Sequence, residues 1–135
     1  KKVKIETEFD ENVPTITCDP AALQQVFYNL ILNATDALAE TGGQHSTVWV
    51  KTSYSPERKI VVITVADDGP GIREELKSRL LKERVSSKPT GHGFGLLTSA
   101  RIVNEHGGTL SAQNRPEGGA EFQIALPVQT IDQST

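Results

Sequence analysis

The sequence has little of several features that would point to particular classes of protein. It contains one cysteine in 135 residues, Cys18, so no disulfide can form within the chain, as is usual in a reducing compartment. No apolar run approaches the ~20 residues of a membrane-spanning helix, and no charged-then-apolar signal segment opens the chain. The net charge of −3 argues against the basic surface that nucleic-acid binding needs. We therefore expect a cytoplasmic protein without a nucleic-acid partner.

Length and patterning predict one domain built from helices and strands in two layers. Residues 1–135 suit a single core, and the chain opens directly on a strand-like segment, as a piece of a longer protein would. Apolar patterning predicts strands at 3–9, 47–54, 59–66, 109–114 and 121–126, and a short extended stretch at 15–18. Helical spacing and helix-start signals predict helices at 20–40, 73–84 and 96–105. Because helices and strands do not alternate strictly, we expect a two-layer α/β sandwich with a mostly antiparallel sheet.

Three polar residues follow one another at helical spacing on the first predicted helix. Asn29, Asn33 and Asp36 are separated by four and three residues, so they share one face, which borders the apolar stripe. Asparagine is a poor helix former, so two of them one turn apart need a reason. One reason is that Asn33 offers its amide oxygen to a hard cation such as Mg²⁺. The alternative is a solvated helix flank, which this pattern alone would favour.

A pair of carboxylates follows the most apolar predicted strand. Asp67-Asp68-Gly69-Pro70-Gly71 comes directly after the strand predicted at 59–66, which contains the apolar run Ile60–Val65. A carboxylate held at a strand end only accepts hydrogen bonds, which suits it to an exocyclic amine such as that of adenine. The glycines permit a tight turn and a close approach of a ligand to the backbone. An ordinary strand-to-helix turn explains the same residues equally well.

Alternate glycines precede the last predicted helix. Gly91-His92-Gly93-Phe94-Gly95-Leu96 brings open backbone N–H groups to a helix N-terminus, which favours an anion such as a phosphate. A Walker loop would need Gly-Lys-Ser/Thr, and a Rossmann turn would need Gly-x-Gly-x-x-Gly straight after a strand, so neither fits. Upstream, Lys88 brings a cation, although a surface lysine is the default interpretation. A merely flexible loop is the alternative for the glycines.

The order of the three motifs is more specific than any one of them. It resembles the catalytic ATP-binding domain of sensor histidine kinases, in the superfamily that includes DNA gyrase, the Hsp90 chaperones and MutL. The resemblance runs from about Lys2 to Pro127, and it is carried by Asn29–Ala34, Asp67–Ile72, Ser87–Leu96 and the ending that starts at His106-Gly107-Gly108. It implies the Bergerat fold, in which helices cover one face of a mixed sheet.

The resemblance also implies roles for individual residues. Asn33 resembles the magnesium ligand, Asp67 the residue that binds the adenine amine, and Asn29 a polar contact near the phosphates. The glycines after Asp67 shape the adenine end of the site, and those of 91–95 shape the phosphate end of a mobile lid. The full set of implied nucleotide-binding residues is Asn29, Asn33, Asp36, Ala37, Asp67, Gly69, Gly71, Ile72, Lys88, Gly91, His92, Gly93, Phe94, Gly95 and Leu96.

Asn29 distinguishes phosphoryl transfer from hydrolysis. The ATP-hydrolysing branches of this superfamily have a general-base glutamate at its position, and an amide takes no proton at neutral pH. The resemblance therefore implies a kinase, with Asn29 and Asn33 as its catalytic residues, ATP and Mg²⁺ as its cofactors, and a histidine on a separate helical dimerisation domain as acceptor. None of His45, His92 or His106 has the sequence context of that acceptor. The further implied partner is a response regulator receiver domain, and the implied full-length protein is a homodimer, cytoplasmic or the cytoplasmic part of a membrane-anchored sensor.

Some positions depart from the family pattern, and other functions remain open. Asp36 is acidic where many relatives are basic, and Ala120 replaces a threonine whose hydroxyl supports adenine binding in relatives. The segment before the lid, 81–85, lacks the usual aromatic residues. The alternatives are a serine-directed kinase of the same fold, an ATP-sensing module that transfers nothing, and a gyrase-type ATPase, which Asn29 disfavours.

Overall fold

A computed structural model describes residues 3–39, 47–72 and 93–128 of the chain. Within these ranges there are five strands and two helices: β1 (Lys4–Phe9), α1 (Pro20–Ala39), β2 (Thr47–Ser55), β3 (Ile60–Asp67), α2 (Gly93–Glu105), β4 (Thr109–Asn114) and β5 (Ala120–Pro127). The five predicted strands are confirmed within one residue at each end. The predicted helix at 73–84 and the segment before the lid lie outside the described residues.

The five strands form one mixed sheet in the order β1-β2-β3-β5-β4. Only β1 and β2 run parallel, and the other three pairs are antiparallel. The expected mixed, mostly antiparallel sheet is therefore confirmed. The arrangement places β5 between β3 and β4, with Val65 opposite Phe122 and Ile63 opposite Ile124. Because directly opposed residues share a face, the apolar side chains of both strands lie on the same side of the sheet.

Both helices of the described ranges pack on that side, so this part of the chain has two layers that enclose one core. The core joins apolar side chains of α1, α2 and the inner face of the sheet, with Leu30, Val103 and Ile124 fully buried. Each such side chain stabilises the fold by roughly 1.5–3 kcal/mol relative to remaining exposed. The expectation that helices cover one face of the sheet is confirmed. It also sets the position of the site, because α1 packs against both β3 and α2.

The start of α1 has the capping that its sequence predicts. Asp19 is the N-cap residue, and its Oδ1 accepts a hydrogen bond from the Ala22 backbone N–H at 3.2 Å. Pro20 occupies the first helical position, where a missing N–H costs nothing. The preceding residues 15–18, predicted as an extended stretch, form no strand, although Ile16 and Cys18 pack against the core.

The helix α2 begins earlier than predicted. The sequence places its start at Leu96, whereas the helix begins at Gly93, so Gly93 and Gly95 lie in its first turn and not ahead of it. Glycine lowers helix propensity by only ~1 kcal/mol, which tertiary packing of the helix overrides. The expectation that all the glycines precede the helix is therefore wrong for these two.

The end of α2 explains both glycines of His106-Gly107-Gly108. Gly107 has φ of 80°, and the N–H groups of Gly107 and Gly108 donate to the carbonyls of Asn104 and Val103, which is a Schellman motif. A Cβ atom on Gly108 would lie 2.2 Å from the Ala125 carbonyl oxygen. The first glycine is needed for its conformation, and the second for close packing against β5. In the described ranges no helix combines the length and the apolar character required to cross a membrane.

Candidate functional site

The strand β3 ends in a buried carboxylate. The Asp67 side chain is 2% exposed, and its Oδ1 accepts hydrogen bonds from the backbone N–H groups of Gly69 at 2.8 Å and Ala120 at 3.4 Å. The first bond forms a tight turn directly after the strand, which the two-residue spacing to glycine permits. The side chain is thus oriented rigidly at the edge of the core.

The neighbouring carboxylate has a different role. Asp68 Oδ1 accepts a hydrogen bond from the Thr47 N–H at 3.1 Å, and the Asp68 N–H donates to the Thr47 carbonyl at 3.3 Å. Asp68 therefore continues the pairing of β2 with β3 beyond the last strand residue. Asp68 thus extends the pairing between β2 and β3, whereas Asp67 lies on the inner face of the sheet, among the core residues.

The turn between β4 and β5 packs directly on the backbone of Asp67. Gly119 is so close that a Cβ atom there would lie 1.9 Å from the Asp67 carbonyl oxygen. The same oxygen accepts a hydrogen bond from Arg115 Nη1 at 3.2 Å, and the Arg115 guanidinium stacks 4.3 Å from the centre of the Trp49 ring on β2. Arg115 thereby fastens the β4–β5 turn across the ends of β2 and β3. In the sequence, residues 115–119 have the composition of an ordinary hairpin turn, so nothing there indicates this role.

The turn after Asp67 ends at Ile72, where it is attached to β4. Gly71 has φ of 86°, which favours glycine, and Ile72 pairs through its backbone with the side chain of Asn114. Gly69 and Gly71 therefore lie between two attachment points, Asp67 and Ile72. Both glycines are predicted site residues, and the structure places them in this one turn. Asn114 is a residue that sequence analysis does not identify.

The predicted polar face of α1 is half-buried, and Asn29 on this face contacts α2. Asn29, Asn33 and Asp36 are all half-buried, in contrast to the solvated flank that was the alternative. Asn29 Nδ2 donates to Ser99 Oγ at 3.3 Å, and Asn29 Oδ1 accepts from Gln25 Nε2 at 3.0 Å. Ser99 is fully buried on α2, the helix whose first turn contains Gly93 and Gly95. A part-buried hydrogen bond thus connects Asn29 to the helix that contains Gly93 and Gly95 in its first turn.

Ser99 could not be identified from its surroundings in the sequence. A single serine in an amphipathic helix is usually a surface residue, and only the packing of α1 on α2 makes it a buried partner of Asn29. The other predicted residues of this part of the site, Lys88, Gly91 and His92, lie outside the described residues. The side chains of Ala37, Phe94 and Leu96 lie outside them as well.

His106 connects the N-terminus of α1 to the C-terminus of α2. Its Nε2 accepts a hydrogen bond from the Asp19 N–H at 3.1 Å, and its Nδ1 lies 2.8 Å from the Ile102 carbonyl oxygen. Since a backbone N–H can only donate, Nε2 is the acceptor and the proton is on Nδ1. The imidazole therefore has a structural role. It fixes the N-terminus of α1 beside the C-terminus of α2, which supports the geometry of the polar face between them.

The arrangement suits a nucleotide better than a small anion alone. Asp67 is a buried acceptor of the type that suits the exocyclic amine of a purine, and the turn that follows it contains two glycines. The Asn33 amide oxygen is of the ligand type that Mg²⁺ prefers, and α2 begins in glycines whose N–H groups favour phosphate. In the described ranges there is no cluster of three or more His, Cys, Asp or Glu residues that could hold a metal ion.

Comparison with known proteins agrees with this geometry. Residues 18–130 match the family of histidine kinase-, DNA gyrase B-, and HSP90-like ATPases. The chain is 30% identical over 127 residues to sporulation kinase E of Bacillus subtilis, which covers 94% of this chain and 16% of the relative. The chain thus spans about a sixth of that protein's length.

Solved structures show the same fold. The catalytic domain of the histidine kinase ThkA superposes with a TM-score of 0.79 at 28% identity, over 93% of this chain and 79% of that one. The full-length kinase ShkA in complex with AMPPNP has a TM-score of 0.79 at 26% identity, over 95% of this chain and 26% of that one. With its mixed sheet, its one-sided helical layer and a match over residues 18–130, the chain belongs to the histidine kinase-, DNA gyrase B- and HSP90-like ATPase family, as an ATP-binding catalytic domain of the histidine kinase type.

Proposed function

We propose that this domain binds ATP with Mg²⁺ and donates the γ-phosphoryl group to a histidine on a separate helical dimerisation domain of the same protein. The observation that carries the proposal is the amide at Asn29. Its side chain is held between Gln25 and Ser99 at the rim of the core, where a hydrolase would need a group that accepts a proton from water. An amide in that position supports transfer to another nucleophile in preference to hydrolysis.

The buried aspartate is proposed as the adenine-binding residue. Asp67 would accept a hydrogen bond from the 6-amino group of adenine, while the turn of Gly69 and Gly71 lies along the ring. Its orientation is set before any ligand arrives, because two backbone N–H groups already hold Oδ1. Ala120 contributes one of these N–H groups through its backbone, although its side chain cannot supply a hydroxyl. Such preorganisation lowers the entropic cost of binding.

The phosphate end of the site is proposed to lie between α1 and α2. Asn33 would supply an oxygen ligand to Mg²⁺, and Mg²⁺ usually completes its coordination with water and substrate phosphates. When bound, the metal ion would neutralise charge on the transferring phosphoryl group. Asn29 would contact the phosphates, and its bond to Ser99 keeps it aligned with the helix that begins at Gly93. Lys88 and the residues of 91–96 are proposed to close over the phosphates, with Asp36 and Ala37 beside the metal site.

The remaining parts of the enzyme are proposed to lie elsewhere in a longer protein. The matched region covers only 16% of sporulation kinase E. We therefore propose that residues 1–135 form the single catalytic domain of a longer kinase, and that the dimerisation and acceptor domain lies in another part of that kinase. We further propose that the full-length protein is a homodimer that passes phosphate to a response regulator receiver domain. Its location is proposed to be cytoplasmic, either free or as part of a membrane-anchored sensor.

Transfer of radioactive phosphate tests the proposal directly. The domain is incubated with γ-labelled ATP, Mg²⁺ and the helical acceptor fragment of its parent protein, and a fragment with histidine replaced by glutamine serves as control. We expect label on the histidine-containing fragment only, in a bond that is labile to acid and stable to base, as phosphohistidine is.

Other outcomes identify the alternatives. Acid-stable label on the fragment would indicate a serine-directed kinase. ATP binding without transfer to the native acceptor would indicate a sensing module, and steady release of phosphate without an acceptor would indicate an ATPase. Each of these three results contradicts the histidine kinase proposal.

A further inference from the structure

The side chain of Asn114 pairs with the backbone of Ile72 through two hydrogen bonds. Asn114 Oδ1 accepts from the Ile72 N–H at 2.7 Å, and Asn114 Nδ2 donates to the Ile72 carbonyl at 2.8 Å. A side-chain amide that both accepts from and donates to one residue reproduces the exchange made by a paired strand residue. Asn114 is the last residue of β4, so this pairing connects the sheet to a residue 42 positions earlier in the chain.

The turn that ends at Ile72 fits closely against this amide. Gly71 has φ of 86°, and a Cβ atom on it would lie 3.0 Å from Asn114 Oδ1. At its other end the turn begins at Asp67, which is held by the N–H of Ala120 and by Arg115. The turn is thus attached to the β4–β5 hairpin at both ends. Asn114 provides the attachment at the end distant from the buried carboxylate.

We propose that Asn114 is a positioning residue of the nucleotide site. By holding Ile72 against the sheet, it fixes the distance between the Gly69–Gly71 turn and the Asp67 carboxylate, and thereby the position in which the 6-amino group of the purine meets that carboxylate. This inference rests on the proposed ATP-binding function. Asn114 is exposed and contributes nothing to the core, so its role lies in holding the turn more than in stabilising the whole fold.

The first experiment measures the turn without any nucleotide. Amide hydrogen exchange at Ile72 is compared among the unchanged domain, Asn114→Ala, Asn114→Asp and Gln113→Ala. Gln113 is a matched control, because it is an exposed amide on the same strand whose side chain lies on the opposite face. We expect Ile72 to exchange about tenfold faster or more in Asn114→Ala, and at an unchanged rate in Gln113→Ala. Asn114→Asp keeps an acceptor for the Ile72 N–H, so its exchange should be intermediate.

The second experiment compares ATP with inosine triphosphate, which carries an oxygen in place of the 6-amino group. We expect Asn114→Ala to weaken ATP binding about tenfold and inosine triphosphate binding much less, so that the preference for ATP falls. Gln113→Ala should retain the preference. A purely structural role of Asn114 would weaken both nucleotides equally, so the ratio of their dissociation constants separates the two explanations.

Two results would overturn the inference. One is unchanged exchange at Ile72 in Asn114→Ala, and the other is an unchanged preference for ATP in a variant whose Ile72 exchanges faster. If Asn114→Ala does not fold, the same two measurements, exchange at Ile72 and the preference for ATP, are made on Asn114→Asp and decide the question. If the unchanged domain binds no ATP, the proposed function fails by itself, and exchange at Ile72 still decides whether Asn114 holds the turn.

Discussion

Gly118 and Gly119 are adjacent glycines in the β4–β5 turn, and replacing each by alanine produces a matched pair of variants. Both have positive φ, 109° and 94°, so alanine introduces similar backbone strain at either position. Their surroundings differ completely. A Cβ atom on Gly118 meets nothing within 4 Å, whereas a Cβ atom on Gly119 would lie 1.9 Å from the Asp67 carbonyl oxygen and 2.9 Å from the Asp68 Cα. The difference between the two variants therefore isolates the contact with β3.

The structure indicates the size of that difference. Each variant loses roughly 1–3 kcal/mol to an unfavourable backbone conformation. Gly119→Ala must also separate the turn from β3 by at least about 1 Å, and such overpacking costs a further ~1–3 kcal/mol. The separation would lengthen the bonds from Ala120 and Arg115 to Asp67. We therefore expect Gly119→Ala to be less stable than Gly118→Ala and to bind ATP more weakly than the unchanged domain.

Urea unfolding of the three proteins measures the free energies of unfolding, and calorimetric titration with ATP measures the affinities. The expected order of stability is unchanged domain, Gly118→Ala, then Gly119→Ala, with a step of ~1–3 kcal/mol between the two variants. Equal stability of the two variants would refute the inference that the turn packs tightly on Asp67. Normal ATP affinity in a folded Gly119→Ala would refute the inference that this contact shapes the site.

Three further substitutions have specific expected outcomes. Asp67→Asn keeps an oxygen for its two backbone donors but loses a charged acceptor, so calorimetry should show ATP binding weaker by roughly 1.5–3 kcal/mol, and equal affinity would contradict its role at adenine. His106→Ala removes the acceptor of the Asp19 N–H, and urea unfolding should show a loss of about 1–2 kcal/mol; an unchanged midpoint would exclude the proposed link between the helices. Lys4 lies 3.0 Å from Glu6 and lowers the pKa of that carboxyl, so Lys4→Met should raise the pKa of Glu6 in an NMR titration. Folding lowers the pKa of Glu6, so any stabilisation by the ion pair is fully present when the pH is above the pKa of Glu6 in the unfolded chain. This stabilisation is lost as the pH falls through the pKa of Glu6 in the folded protein.

Local patterning predicts most of the regular structure. The strands and the helix α1 follow from apolar periodicity and from the Asp19-Pro20 start, because these signals act between residues that are close in sequence. The start of α2 could not be located in this way. In a sequence, glycines usually indicate the boundary of a helix, and only packing against α1 explains why Gly93 and Gly95 lie within α2. The pattern also predicts β3 as the most buried strand, whereas β5 has as many buried residues. Its burial comes from its interior position between β3 and β4, which no local signal in the sequence indicates.

The candidate site is less predictable, because its parts meet only through the fold. The order of the motifs identifies Asp67 and the asparagine face, and the structure adds which partners hold them. Ser99 is 70 positions from Asn29, and Asn114 is 42 positions from Ile72. Contacts between residues so far apart in sequence cannot be predicted from local spacing or periodicity. Arg115 and Gly119 likewise appear in the sequence as ordinary turn residues, and only the proximity of β3 gives them a further role.

The position of β5 between β3 and β4 has a consequence for how the protein is made. β5 is the last of the described strands in chain order, yet it lies between β3 and β4. As the chain emerges from the ribosome, β3 therefore has an unpaired edge until the final strand is available, and such edges are prone to pair with other chains. Pairing between strands that are distant in sequence is also slow, because the entropic cost of closing the loop must be met before the stabilising contacts form. The surroundings of Asp67 are thus among the last features to form, and a chain that stopped before β5 would lack the N–H of Ala120 that helps to hold Asp67.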